Sequence, residues 1–452
     1  MSETSARGRS LGLKILLVGG LVLALGVPLA IVNVLAWERE NRAQTVAVEV
    51  GAALGGAQTF RGPYLSIPFE TVQVTETGRG EDLVRTETVL REHIVVSPEV
   101  LDLWVRLETH TLRRAIYTVP AYRSDMQMTA TFDLQGVAAL APADATISWE
   151  QARIFATVSD LRGISEDFNA QASTQEAPLA FEPGMTFTMG ESRNGRAISA
   201  AIAGISDGAR VEFTGELVMT GARSFALQPS GRETRAEITG DWPHPGFDGS
   251  YLPAERETGA EGFSASWLVP YLARGFPARW VEGRSYSLSN AQGAAMTVNL
   301  VNPADGYARV SRSLKYAIFF VGFTLLMFFL IEASGSQRLH AAQYILIGLA
   351  QVVFYLMLLA LSEHASIAIA FSGSAAATIV LTALYAWTAF KDNARAMLTF
   401  AALTLSYVIQ FLLVLIEEYA LLIGAGLTFL AIAGTMYVTR KVDWYGITES
   451  KP

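Results

Sequence analysis

Cysteine is absent from the 452-residue chain, which removes disulfide scaffolds, thiolate zinc sites, iron–sulfur centres and thiol catalysis at once. Charge is scarce too: 17% of residues are Asp, Glu, Lys or Arg, against roughly 25% in an ordinary soluble domain. Lysine is missing altogether from residues 37–314, where 24 Arg face 34 Asp plus Glu for a formal charge of −10. So acidic a stretch lacks the basic groove that nucleic acid requires, and no nucleic-acid partner is expected. Its Arg-for-Lys bias is the pattern that GC-rich codon usage produces and calls for no phosphate-binding role. The sequence also has no Gly-x-Ser-x-Gly elbow, no two-His zinc spacing and no Lys-bearing phosphate loop, so no cofactor or metal is implied.

Long apolar runs are what the chain does have. Apolar residues make up 51% of it and the mean hydropathy is +0.31. A hydrocarbon core of about 30 Å takes roughly 20 helical residues, and six runs approach that length: residues 15–36, 316–331, 341–361, 365–390, 396–416 and 419–438. The second is short and reaches both interfaces if Lys315 snorkels at one end and Glu332 marks the other. The predicted organisation is an N-terminal segment with the first span (1–36), a large inserted domain (37–314), a five-helix bundle (315–439) and a tail (440–452).

Basic residues in short flanks set orientation. Arg7, Arg9 and Lys14 precede the first span, Arg338 follows the second, Lys391 and Arg395 follow the fourth, and Arg440, Lys441 and Lys451 follow the sixth. All fall on one side, while the opposite short loops carry Glu363, Glu417 and Glu418 and no Lys or Arg. Both termini are therefore expected in the cytoplasm and the insert outside. A cleaved leader ending at Ala36 is the alternative for the first run, but the run is longer than a usual leader core and Trp37 suits an interfacial anchor.

Within the insert the apolar period is mostly two. Residues 115–119, 126–134, 210–219 and 296–301 read as strands, separated by turn material at Gly78, Pro183-Gly184, Asn194-Gly195, Asp207-Gly208, Ser230-Gly231 and Asn302-Pro303. Helical spacing is confined to residues 39–54 and a short turn near 266–273, and residues 161–177 read as a long exposed loop. The expectation is a mostly β, sandwich-like domain.

Two polar groups are the candidate sites. Asp241-Trp242-Pro243-His244-Pro245 is a proline-locked turn whose Asp and His form an acid–base pair only if they converge. Glu332, Arg338, His340, Glu363 and His364 gather at the ends of the second and third spans, placed so that interfacial water satisfies them. The deep positions offer Gln351, Ser406 and Gln410, weak support for ion coupling. On the fourth span Ser366, Ala370, Ser374, Thr378, Thr382 and Ala386 recur every four residues, a ridge for close packing inside the bundle or between copies in a homo-oligomer.

Several stretches together resemble the CreD family of bacterial inner-membrane proteins. Near the start these are Gly55-Gly56-Ala57-Gln58, Gly62-Pro63 and Pro68; late in the insert, Asp241-Trp242-Pro243-His244-Pro245, Leu252-Pro253 and Gly262-Phe263. The membrane part resembles it most, at Lys315-Tyr316-Ala317, Phe328-Phe329, Glu332, Arg338-Leu339-His340, Gln343-Tyr344, Gly348-Leu349, Phe354-Tyr355-Leu356, Leu361-Ser362-Glu363-His364 and Asp443-Trp444-Tyr445. The resemblance implies an envelope-integrity protein of a Gram-negative cytoplasmic membrane, associated in the family with envelope stress, colicin tolerance and altered β-lactam susceptibility. It implies no reaction and carries over no catalytic residue.

Three functions follow for comparison. The first is a non-enzymatic envelope protein whose periplasmic β domain binds an envelope protein or a lipid or glycan ligand. An enzyme acting on lipid, glycan or peptidoglycan requires a close Asp–His or carboxylate pair in a cleft, and a transporter requires a polar cavity at mid-bilayer. Reporter fusions at Asn194 should read periplasmic and fusions at Gln337, Asn393 and Glu449 cytoplasmic; a cytoplasmic signal from Asn194 overturns the orientation.

Overall fold

A computed structural model describes residues 2–77, 84–185, 196–288, 294–301, 306–333 and 338–415, with scattered positions between 422 and 436. It contains two compact units, residues 45–303 and residues 1–44 with 304–452.

Helix α1 (Ser2–Ala52) ends within the first of these, followed by β1 (Gln58–Thr77), β2 (Val84–Val96), β3 (Val100–Arg114), β4 (Tyr117–Asp133), β5 (Thr146–Ile147) and β6 (Arg153–Thr157). The middle holds β7 (Asn169–Ala172), β8 (Glu182–Pro183), β9 (Ala197–Ala201), β10 (Arg210–Ala222), β11 (Ser224–Gln228) and β12 (Glu233–Gly240). β13 (Pro245–Gly249), β14 (Glu255–Gly259), β15 (Gly262–Val269), the short α2 (Tyr271–Arg274), β16 (Arg279–Val281) and β17 (Met296–Leu300) complete it.

These strands form two sheets. One has the order β13-β17-β11-β1-β6-β9-β8, with β2, β5 and β16 branching from it; the other runs β14-β15-β12-β3-β4-β10-β7. The alternation in β3 explains the second sheet: Leu101, Leu103, Val105 and Leu107 are buried, while Trp104, Arg106 and Glu108 face out, the period of a half-buried strand. A single apolar core draws on both sheets, from Phe60, Leu65 and Ile67 in one to Leu103, Phe132 and Phe213 in the other. The expected sandwich is thus present, with each fully buried Leu or Phe contributing roughly 1.5–3 kcal/mol over exposure.

Three local expectations need correction. Ala115 and Ile116 form the tight turn between β3 and β4, Ala115 having φ 54°, so that strand starts at Tyr117. Residues 161–177 are no free loop: β7 pairs with β10, and Phe168, Ala170 and Ala172 enter the core. Short-range polarity hid an edge strand whose small residues alternate inward. Residues 266–273 are mostly the end of β15, with helix only at α2. The turns expected at Gly78, Asn194-Gly195 and Asn302-Pro303 lie outside the described residues.

Strand β1 is unusual in length. Its 20 residues pair successively with β11, β6, β5 and β2. Beyond Glu70, β2 alone pairs with it among the described residues, giving a two-stranded ribbon in which Val72 faces Val89 and Val74 faces Glu87.

The other unit is helical. The first part of α1 is joined by α3 (Gly306–Lys315), α4 (Ala317–Ala333), α5 (Ala341–Ser362), α6 (Ile367–Phe390) and α7 (Asn393–Leu415). Four helices are long and apolar enough to cross a membrane, and α3 with α4 adds a fifth as a pair bent by 50°. Here the expected second span is corrected: α3 brings Val310, Ser313 and Leu314 into the bundle, so helix precedes Tyr316 where the sequence reading placed the end of the insert. The expected sixth span, residues 419–438, and the tail fall largely or wholly outside the described residues.

The ridge on α6 faces inward. Ala370, Ser374, Thr378, Thr382 and Ala386 are all buried, and only Ser366, the N-cap, is exposed. It packs the bundle's own helices and is unavailable to a second copy. Ser374→Leu should therefore cost about 1–3 kcal/mol of stability in detergent through overpacking, and the exposed Ser372→Leu less than about 0.5 kcal/mol. Equal melting of the two variants would remove the ridge as a packing face.

Candidate functional site

The helical unit buries polar side chains along one face of α5. At one end Glu332, 8% exposed on α4, forms an ion pair with Lys14 of α1. Lys14 also donates to Leu339 O (3.2 Å), and Tyr344 Oη on α5 donates to the second carboxylate oxygen (2.8 Å). A carboxylate in an apolar setting is tolerable only when so partnered. This corrects the expectation of interfacial water for Glu332: the protein satisfies it. His340 instead caps α5, its Nδ1 accepting from Ala342 N (3.2 Å) while Gln343 Oε1 accepts from His340 N (2.8 Å), a reciprocal cap that supplies partners to the first turn. Arg338 is exposed.

Two turns along α5 stands Gln351, whose Oε1 accepts from Tyr407 Oη of α7 at 2.8 Å. One turn further, Tyr355 Oη accepts from Gln410 Nε2 at 2.6 Å, and the same amide reaches Ser313 Oγ of α3 at 3.3 Å. All five side chains are buried. The Gln351 Nε2, Ser374 Oγ and Thr382 Oγ1 atoms are buried without a protein partner among the described residues. Gln351 and Gln410 were visible in the sequence as deep polar positions; their pairing with tyrosines on neighbouring helices was not, because it depends on which faces meet.

At the far end Glu363 accepts from Tyr307 Oη (3.3 Å) and lies 3.7 Å from Arg39 Nη1. His364 is exposed. About 37 Å of helix separates Lys14 from Arg39 at 1.5 Å per residue, slightly more than the roughly 30 Å hydrocarbon thickness. The two charged clusters thus bracket an uncharged middle. Tyr344 and Gln351 are separated by Gly348, where any side chain would strike Leu25 of α1. Asp443, Trp444 and Tyr445 lie outside the described residues.

In the β unit, Asp241 and His244 do not pair. Asp241 Oδ1 accepts from Thr109 N (2.8 Å) and Thr109 Oγ1 (2.7 Å), Trp242 Nε1 donates to Val301 O (2.9 Å), and His244 is exposed. The segment carries the chain from β12 in one sheet to β13 in the other, so its stiffness serves a corner. The Gly55-Gly56-Ala57-Gln58 stretch is another joint. Gln58 Nε2 donates to Gly55 O (3.1 Å) and Asp160 O (2.9 Å), and a side chain at Gly55, which has φ +89°, or at Gly163 would collide with that amide.

Sequence reading missed two buried polar centres in this unit. Ser66 Oγ and His93 Nδ1 share a 3.0 Å hydrogen bond; burial, then Arg91, lowers the His93 pKa to about 4, leaving the ring neutral near pH 7. Arg274, 3% exposed, donates to Ser230 O (2.6 Å) and Phe276 O (3.2 Å) and stacks 4.0 Å from the Phe276 ring. Burial pushes its pKa down and that of nearby Tyr64 up. No local spacing marks either, since their partners come from other strands. Among the described residues no cluster of three His, Asp or Glu could hold a metal ion.

A family profile described as "Inner membrane protein CreD" matches residues 10–445. Inner membrane protein CreD of Escherichia coli (strain K12) is 30% identical over 442 residues, covering 96% of this chain and 93% of that protein. Two crystal structures of a mutant M1 zinc metallopeptidase from Deinococcus radiodurans, one substrate-bound, align at 8% and 9% identity over 45% of this chain and 42% of theirs. Their TM-score of 0.22 carries no argument about fold or chemistry.

The Lys14–Glu332 pair yields a test. Removing one partner strands a buried charge, so Lys14→Met alone should destabilise the protein in detergent by about 3 kcal/mol. Lys14→Met combined with Glu332→Leu should recover most of that loss, because an apolar pair replaces an ionic one. Melting curves that show the double variant as weak as the single one would contradict the pairing.

Proposed function

The chain belongs to the CreD family of inner membrane proteins, and on that premise we propose that it is a non-enzymatic envelope-integrity protein whose β unit binds an envelope component in the periplasm. The bundle anchors it in the cytoplasmic membrane with both termini in the cytoplasm, the orientation that the one-sided distribution of Lys and Arg supports.

The observation that carries the binding reading is the ribbon formed by the outer parts of β1 and β2. Val72, Val74, Val89 and Leu90 are 53%, 39%, 60% and 39% exposed on strands that, among the described residues, pair only with each other from Thr71 outward. A two-stranded ribbon with apolar faces is marginal in water alone, and its free edges can add a strand from a partner. Such a surface is retained when something covers it. The enzyme reading loses its acid–base pair, because Asp241 is committed to Thr109.

Transport is the second reading, favoured by the buried Gln351–Tyr407 and Tyr355–Gln410 pairs. Its weakness is chemical: among the described residues the middle of the seam holds amides, phenols and hydroxyls and no carboxylate or imidazole, and Leu25 fills the space over Gly348.

A photoreactive residue placed at Val74 or Val89 of the full chain in native membranes should give a discrete adduct, identified by mass spectrometry as an envelope protein, glycan or lipid. The same residue at Thr129, on the solvent face of β4, should give none. Absence of adducts at both ribbon positions, or equal labelling at Thr129, defeats the binding surface.

A further inference from the structure

On the outside of the bundle, near the turn between α6 and α7, lies an open apolar groove of about 400 Å³. Leu384 and Trp387 of α6 and Met397 and Phe400 of α7 line it, together with the small Ala396. The lining is well exposed, Met397 at 70% and Leu384 at 58%. The volume falls in the roughly 300–1,000 Å³ range of small-molecule sites. Its mouth is polar and ordered: Trp387 Nε1 donates to Asn393 Oδ1 at 2.7 Å, holding the indole at the level of the turn, as aromatic residues at membrane interfaces are held.

The charge at that mouth is unbalanced. Asp392 serves Arg395 at 3.3 Å and also caps α7, accepting from Ala394 N at 2.9 Å. Lys391, the left-handed C-cap of α6, is exposed and has no acidic partner among the described residues. The N-terminus of α7 adds the partial positive charge of a helix start. With 24 residues, α6 spans about 36 Å, so Lys391 stands where a bilayer's phosphates lie and the groove runs into the acyl region.

We propose that this groove is a specific site for an anionic phospholipid of the surrounding bilayer, one acyl chain lying between α6 and α7 and the headgroup phosphate on the Lys391 ammonium. An ordinary lipid-facing surface offers apolar contact to every lipid. Here an exposed cation, unpaired among the described residues and two positions from the groove's Asn393, selects charge, and the cleft fixes where the chain lies.

Native mass spectrometry of the full chain, released from detergent with phosphatidylglycerol or phosphatidylcholine added, reads the site directly. The wild type should retain phosphatidylglycerol in preference to phosphatidylcholine, and Lys391→Gln should weaken that retention about fivefold. Lys391→Arg should restore it, and Lys315→Gln, an equal loss of charge elsewhere, should leave it unchanged. Ala396→Trp, filling part of the groove, should lower retention of phosphatidylglycerol with Lys391 intact. Equal effects of Lys391→Gln and Lys315→Gln, or no effect of Ala396→Trp, would overturn the site. So would a dimer whose formation protects Met397 from oxidation in lipid-free detergent, since the groove's occupant would then be a second copy.

Discussion

Hydrocarbon supplies no hydrogen bonds, and a polar group that enters it must find its partner within the protein. That constraint accounts for the helical unit. Glu332 is buried because Lys14 and Tyr344 meet it; Gln351 and Gln410 are buried because Tyr407, Tyr355 and Ser313 do. Each pairing joins different helices, so the polar residues act as register marks: sliding α5 by one turn against α7 would separate both amides from their phenols. Apolar packing alone tolerates many such slides, since lipid tails are as apolar as Leu.

The β unit meets the analogous demand by closing its sandwich at joints. Gln58 ties the end of α1 to the Asp160 turn, and Asp241 pins the crossing from β12 to β13 against Thr109. Both stretches carry the family resemblance, and both are explained by geometry without chemistry. The residues free of such duties are on the ribbon of β1 and β2, where exposed valines contribute nothing to the shared core.

The broad plan was readable because long apolar runs and period-two alternation are local properties. Leu101, Leu103, Val105 and Leu107 announce a half-buried strand whatever surrounds them. What was not readable depends on distant residues meeting. Glu332 looked interfacial because it ends an apolar run beside Arg338 and His340; its actual partner, Lys14, lies 318 residues away. α3 was absorbed into the insert because its Arg-rich, amphipathic sequence has none of the uniform apolarity of a span. β7 passed as a loop because an edge strand of Asn, Ala and Gln carries almost no β signature. Asp241 and His244 looked like a pair because they are neighbours, yet the chain turns between them and sends Asp241 to another strand.

The 318 residues between Lys14 and Glu332 are also an interval of time. At about 5–20 residues per second of synthesis, on the order of 15–60 s pass after Lys14 is made before its carboxylate exists. Throughout that interval α1 holds an ammonium with no protein partner, and a cation in that state stays at the water interface by extending its methylene chain. The ion pair can therefore close only after α4 has been made. Its closure ties the Lys14 end of α1 to the end of α4.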